Sequence, residues 1–200
     1  MTRRLTTLLL LAGLALLQAS PEDAAAPAAT DQTAPSYDMK AQSLLDLENV
    51  QKKFVDLANA LPADKFTWRP VAGTRSFAET FLHIAAERYA FLGNVGADRP
   101  AGFNGKALEK LTTERTGIVD ELNKSWEFTR NAISHMTNAD FAKLLPKFGP
   151  QANEGDVVYL LVADQHEHLG QLIAYSRQNG IVPPWTAAAK QIADKKAQQK

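Results

Sequence analysis

Apolar residues recur every three or four positions in four stretches of the chain, residues 37–60, 76–93, 113–136 and 154–180. This spacing predicts amphipathic helices that each turn one face toward a core. No segment of the sequence shows sustained two-residue alternation of β-branched residues, so the pattern predicts an all-α, four-helix bundle. The predicted inward positions are Leu44, Leu47, Val50, Phe54, Leu57, Leu61, Phe77, Phe81, Ile84, Tyr89, Ile118, Leu122, Trp126, Ile133, Met136, Val157, Leu161, Leu172 and Tyr175.

Local signals mark helix ends and connections. Ser76 and Glu79 have the spacing of a capping box at the start of the second helix. Gly180, followed closely by two prolines, is expected to close the fourth helix. The connection of residues 93–112 is long enough to carry the chain back along the bundle. We therefore predict long crossover connections, with the second and third helices parallel, and a short helical turn from Asn138.

The first 19 residues have the layout of a secretory signal peptide. Arg3 and Arg4 precede a largely apolar run, residues 5–17, and small residues follow it. As a helix this run covers about 20 Å, too little for a hydrocarbon core of about 30 Å, which argues against a membrane anchor. We expect cleavage near residue 19 and export to the periplasm or the medium, with no membrane association afterwards.

Composition divides the rest of the chain into three parts. Residues 20–36 are rich in Ala and Pro and poor in large apolar residues, which is typical of a disordered leader. Residues 37–185 form the predicted bundle, and residues 186–200 form a polar, lysine-rich tail that can fray as a helix.

Charge and cysteine content exclude several classes of function. Basic and acidic residues number 22 each, and loss of Arg3 and Arg4 with the signal peptide leaves a net charge of about −2. No basic stripe remains for nucleic acid. The chain has no cysteine, which excludes disulfides, thiol nucleophiles and thiolate metal ligands.

Three polar residues fall on predicted inward faces. Asp164 and His168 are four residues apart on the fourth helix, so they lie roughly 6 Å apart and point the same way. His83 lies in the middle of the second helix, whereas His166 is two residues from His168 and points away. Two histidines and one carboxylate suit Zn²⁺, Ni²⁺ or Fe²⁺ with a position open to water or substrate. The alternative is a core histidine with an Asp hydrogen-bond partner.

Two segments resemble the DinB-like (damage-inducible, YfiT-like) superfamily, namely FTWRPVAGTRSFAETFLHIA and HEHLGQLIAYSRQNGIVPP. The resemblance covers residues 42–185. It implies a four-helix bundle with long crossover connections and a divalent metal, Zn²⁺ or Ni²⁺, held by three histidines. His83 and His168 match two of the ligand positions. Asp164 stands where the family has its third histidine, so the implied metal ligands are His83, Asp164 and His168.

The resemblance leaves two functions open. One is a metal-dependent hydrolase or transferase acting on an unidentified small molecule, with Glu87 or Gln171 holding the ligands in place. Export favours water over a thiol as the nucleophile, because low-molecular-weight thiols are mainly cytosolic. The other is a non-catalytic periplasmic bundle, for ligand binding or a stress-related interaction, with a degenerate metal site. DinB-like relatives are often homodimers, so the resemblance allows a homodimer here.

Overall fold

A computed structural model describes residues 38–199, and the predicted signal peptide and leader lie outside these residues. The described part is all-α, without strands, which confirms the predicted fold class. No helix within it is both long and apolar enough to span a membrane. Its α-helices are α1 (Met39–Ala60), α2 (Phe77–Gly93), α3 (Gly105–Leu108), α4 (Arg115–His135), α5 (Asn138–Ala142), α6 (Glu154–Gln178) and α7 (Pro184–Gln198).

The four long helices α1, α2, α4 and α6 form the bundle, and their buried residues show how they run. One core cluster joins the last turns of α1 and α6 to the first turns of α2 and α4, and includes Leu57, Phe77, Ile118 and Leu172. The other cluster joins the opposite ends and includes Leu47, Leu92, Ile133 and Val158. Helices α2 and α4 are therefore parallel to each other and antiparallel to α1 and α6, as the long connection predicted.

Capping boxes fix where α2 and α6 begin. The Ser76 hydroxyl accepts from the Glu79 amide at 3.2 Å, and the Glu79 carboxylate accepts from the Ser76 amide at 2.8 Å. Asn153 and Asp156 make the same reciprocal pair at the start of α6. The helix ends after Asn179, where Gly180 takes a positive φ of 71°. These caps satisfy exposed backbone groups and so set which residues of the two helices face each other.

The segment between α1 and α2 is clamped against the bundle. The Trp68 ring lies 5.8 Å from that of Phe77 and 5.5 Å from that of Tyr175, between centroids. The Trp68 carbonyl accepts from the Phe77 amide at 3.1 Å. Trp68 thus packs the start of α2 onto the last turns of α6.

Two helices lie in segments for which the sequence predicted no regular helix. Helix α3 occupies the crossover connection and is capped by Asn104, whose side chain accepts from the Ala107 amide at 3.1 Å. Helix α7 follows α6 and has no buried residue. Its first turn contacts α1, where Lys53 Nζ lies 5.8 Å from the Trp185 ring. Of the two, α3 matters for function because it brings a carboxylate to His83.

Candidate metal centre

Two histidines meet where α2 packs antiparallel against α6. His83 and His168 have ring centroids 4.8 Å apart, with the rings nearly perpendicular. Each side chain is 14% exposed, so both are largely shielded but open on one side. Such partial burial is typical of a side chain that lines a site rather than filling a core.

Glu87, one helical turn after His83, lies between the two rings. Its Oε1 is 2.8 Å from His83 Nε2, and its Oε2 is 3.2 Å from His168 Nε2. One ligand atom from each of these residues lies within 4.8 Å of the others. We call His83, Glu87 and His168 the His–Glu cluster.

Asp164 borders the cluster from α6. Its Oδ1 lies 3.6 Å from His168 Nε2, and its side chain is largely buried. Asp164 Oδ2 is buried without a hydrogen-bond partner, and the buried Glu87 Oε2 has only the His168 Nε2 contact at 3.2 Å, which is not in good hydrogen-bond geometry. Buried carboxylate oxygens without donors are costly, so the site has unused capacity to bind a proton or a cation.

The outer nitrogen of His83 is held by the crossover connection. Its Nδ1 lies 2.7 Å from Oε1 of Glu109, the residue that ends α3. Arg75 in turn donates to both oxygens of Glu109, at 3.0 and 3.2 Å. A carboxylate at Nδ1 fixes the ring orientation and leaves Nε2 directed at Glu87.

The outer nitrogen of His168 is held within α6. Its Nδ1 lies 2.9 Å from Oε1 of Gln171, whose amide nitrogen donates to the Tyr175 hydroxyl at 2.8 Å. Because the Gln171 oxygen can only accept, His168 carries its proton on Nδ1 when it is neutral. Both histidines thus have their Nδ1 atoms engaged and their Nε2 atoms turned toward Glu87.

The carboxylates of the site have pKa values shifted in opposite directions. Burial, reinforced by the nearby Glu87, raises the pKa of Asp164 to about 7. Burial acts the same way on Glu87, but hydrogen bonds with His168 and His83 outweigh it and hold the pKa of Glu87 well below its usual range. Glu87 is therefore the anion near neutral pH, and Asp164 retains a proton through much of the acidic range.

The pKa of His168 is also shifted by its neighbours in the site. Burial alone would lower the pKa of its imidazole, but Glu87 and Gln171 raise it above the usual value. In the protein without a metal, a proton between His168 and Glu87 stabilises the pair. A cation can replace that proton, since metal ligands are imidazole nitrogens and carboxylates in their deprotonated forms.

The donor set fits a divalent metal. Two imidazole nitrogens and one carboxylate, all on rigid helices, match the ligand types that Zn²⁺ and Ni²⁺ take in proteins. The buried Oδ2 of Asp164, which has no hydrogen-bond partner, is a further oxygen available to a cation beside them. The residues present are therefore suitable to hold the metal that the family resemblance implies.

Of the three residues predicted as metal ligands, His83 and His168 lie together, and Asp164 borders them with Oδ1 3.6 Å from His168 Nε2. The group whose ligand atoms converge is His83, Glu87 and His168, without Asp164. The structure places Glu87, predicted only to hold the ligands in place, directly between the two histidines. His166 lies outside the site, as predicted, with Nε2 2.7 Å from Asp46 Oδ2. The spacing of Glu87 four residues after His83 was a usable signal for a shared helix face.

A bundle of four long helices with long crossovers and a polar cluster on two facing helices defines a class of small metal-binding α-proteins. A sequence model of the DinB superfamily matches residues 46–172, most of the bundle. The chain belongs to the DinB superfamily, which confirms the resemblance. A comparison with curated proteins gives no match.

Proposed function

We propose that the protein binds a divalent metal, Zn²⁺ or Ni²⁺, through Nε2 of His83, Nε2 of His168 and the Glu87 carboxylate. Asp164 is the adjacent fourth donor, in the position where the resemblance implies a ligand. The observation that carries the proposal is that Nε2 of His83, Nε2 of His168 and the Glu87 carboxylate converge, with both Nδ1 atoms already engaged elsewhere. A divalent cation can replace the protons that join these groups in the metal-free protein.

We further propose a hydrolase or transferase reaction on a small molecule. A divalent metal, when bound, supplies Lewis acidity and lowers the pKa of a water or thiol. Around it, Glu109 and Gln171 keep the imidazoles fixed in orientation, so the site needs little rearrangement during a reaction. Asp164 can take up or release a proton near neutral pH, because its pKa is raised to about 7.

The sequence of the first 19 residues supports export, and export favours water as the nucleophile. The proposed setting is the periplasm or the medium, where low-molecular-weight thiols are scarce. Hydrolysis of an ester, amide or similar electrophile is then the reaction compatible with this address. Mass spectrometry of the protein recovered outside the cytoplasm tests export, which predicts a mature chain beginning near residue 20.

Metal binding is tested by calorimetry on the untagged protein after chelation, with Zn²⁺ and Ni²⁺ as titrants. We expect one metal per chain and loss of binding in His83→Ala, because the ion then loses one of its two imidazole ligands. His166→Ala is the matched control, since this histidine pairs with Asp46 outside the cluster. Circular dichroism checks that both variants remain folded. Wild-type protein that takes up neither ion contradicts the proposal.

A second candidate is a non-catalytic bundle that has kept the fold and lost the metal. It is favoured by the ion pairs that already join the site, with His83 Nε2 2.8 Å from Glu87 and His168 Nε2 3.2 Å from it. If the histidines carry protons, these pairs satisfy each other without a metal. Asp164→His, which restores the three-histidine pattern, distinguishes the two. Metal binding by the variant but not by the wild type indicates a dismantled site.

A further inference from the structure

A cavity of about 330 Å³ lies between the crossover connection and the parallel helices α2 and α4. None of the residues that line it belongs to the His–Glu cluster. Its polar members are Tyr89 of α2, Glu121 of α4 and Asn104 of the connection, and its other walls come from residues 100–111 of the connection. A volume of this size is sufficient for a small organic molecule.

Glu121 is a buried carboxylate with incomplete pairing. The residue is 8% exposed, and its Oε1 accepts from the Tyr89 hydroxyl at 3.1 Å. Its Oε2 has Lys124 Nζ at 4.0 Å, at the limit of an ion pair, and the Lys124 side chain is 70% exposed. A buried carboxylate with one neutral donor and a distant, solvated cation retains most of its negative charge.

Tyr89 is the hydrogen-bond donor in its contact with Glu121. Burial, with the adjacent Glu121 carboxylate, raises the pKa of the Tyr89 hydroxyl above its usual value. The hydroxyl therefore remains protonated and donates to Glu121 Oε1.

The rest of the cavity is mainly apolar. The Phe103 ring lies 5.7 Å from that of Tyr89, and Leu108 and Leu111 contribute aliphatic walls. Leu111 is 57% exposed, which is unusual for a leucine beside a cavity and indicates an open mouth. Arg99, the nearest guanidinium to Phe103, is held by the carbonyls of Tyr89 and Ala90.

We propose that this cavity binds a small organic cation, an ammonium group carried on an apolar or aromatic body. The ammonium group pairs with Glu121, and the body packs between Tyr89, Phe103 and the two leucines. A neutral molecule of the same shape gains the apolar contacts without the ion pair, and an anion is repelled by Glu121. The site is separate from the proposed metal centre and does not depend on it.

The test is an NMR titration of the full chain, at low salt and neutral pH, with 2-phenylethylamine and its neutral counterpart 2-phenylethanol. We expect the amine to shift the signals of residues 100–111 and to bind about tenfold more tightly than the alcohol, as a charged hydrogen bond implies. Glu121→Gln keeps the shape and the acceptor for Tyr89 but removes the charge, and should weaken amine binding about tenfold. Asp120→Asn is the matched control, because it removes an exposed charge from the same helix outside the cavity.

A second variant blocks the cavity by volume. Ala107→Trp, at an exposed position of the wall, should abolish binding of amine and alcohol alike without disturbing the core. If circular dichroism shows that Glu121→Gln is unfolded, Ala107→Trp still tests whether the amine binds in this cavity. Absence of amine binding overturns the proposal, as do equal affinities for amine and alcohol, or amine binding that survives in Ala107→Trp.

Discussion

At the scale of single residues, the site depends on two carboxylates with different roles. Glu87 contacts both histidines and remains ionised, whereas Asp164 contacts only His168 and has a raised pKa. Two carboxylates beside one another do not both ionise easily, so the one with more donors takes the charge. Removing the charge of Asp164 should therefore have a small effect on the site, and removing that of Glu87 should have a large one.

The pH dependence of stability tests this assignment. Folding raises the pKa of Asp164 from 3.8 to about 7, so the folded state binds the proton more tightly, and stability falls as pH rises through that window. Asp164→Asn cannot ionise. In the presence of a chelator, its free energy of unfolding should increase relative to the wild type between about pH 4 and about pH 7.

Urea unfolding curves at each pH give this difference. Asp46→Asn is the control, because Asp46 pairs with His166 away from the cluster. A constant difference between Asp164→Asn and the wild type over the whole range would show that Asp164 ionises in the folded protein as it does in the unfolded chain.

The sequence was sufficient to place His83, Asp164 and His168 near one another but not to place Glu109. The first three lie on long helices, where a period of 3.6 residues determines which side chains share a face. Glu109 lies at the end of a four-residue helix, too short to show periodicity. Its contact with His83 depends on the path of the crossover connection, which is set by packing of the whole bundle.

At the scale of elements, the sequence likewise predicts the long helices well and the connections poorly. The predicted bounds of the bundle helices match α1, α2, α4 and α6 within about two residues, because caps and apolar stripes mark them. The α7 helix was predicted only as a polar tail that can fray, since it buries no residue and so has no apolar stripe. Helix α3 packs on α2, where a β-carbon added at Gly105 would lie 3.7 Å from that of Ala86.

The function of α3 at the metal centre is to present Glu109 to His83. Glu109→Gln should weaken metal binding about tenfold, because an amide oxygen accepts the Nδ1 proton without the charge that makes the imidazole a stronger ligand. The ion pair with Arg75 is lost in the same variant. Calorimetric titration with Zn²⁺ measures the effect.

Glu114→Gln provides the control for this variant, as an exposed glutamate of the same connection whose side chain makes no capping bond. An unchanged affinity in Glu109→Gln would mean that the carboxylate only fixes the course of the connection. Equal thermal stability of the two variants would exclude a loss of affinity through partial unfolding.

At the scale of the whole molecule, a buried arginine joins the four helices. Arg88 of α2 is fully buried and donates to Gln51 of α1, to the Leu122 carbonyl and Ser125 hydroxyl of α4, and to Gln165 of α6. Burial lowers its pKa to about 9, so it remains charged at neutral pH. Every one of these partners is uncharged. A cation with four neutral acceptors fixes the relative register of the helices at a cost in desolvation.

This network predicts opposite effects for single and combined substitutions. Arg88→Met should lower the free energy of unfolding by about 2 to 4 kcal/mol, because it leaves the buried amides of Gln51 and Gln165 without their donor. The triple variant Gln51→Leu, Arg88→Met, Gln165→Leu removes the stranded amides together with the guanidinium, and should recover most of that loss. Urea denaturation of the wild type and both variants measures the changes. If Arg88→Met alone matches the wild type, the guanidinium contributes no net stability, and its hydrogen bonds only offset the cost of burying the charge.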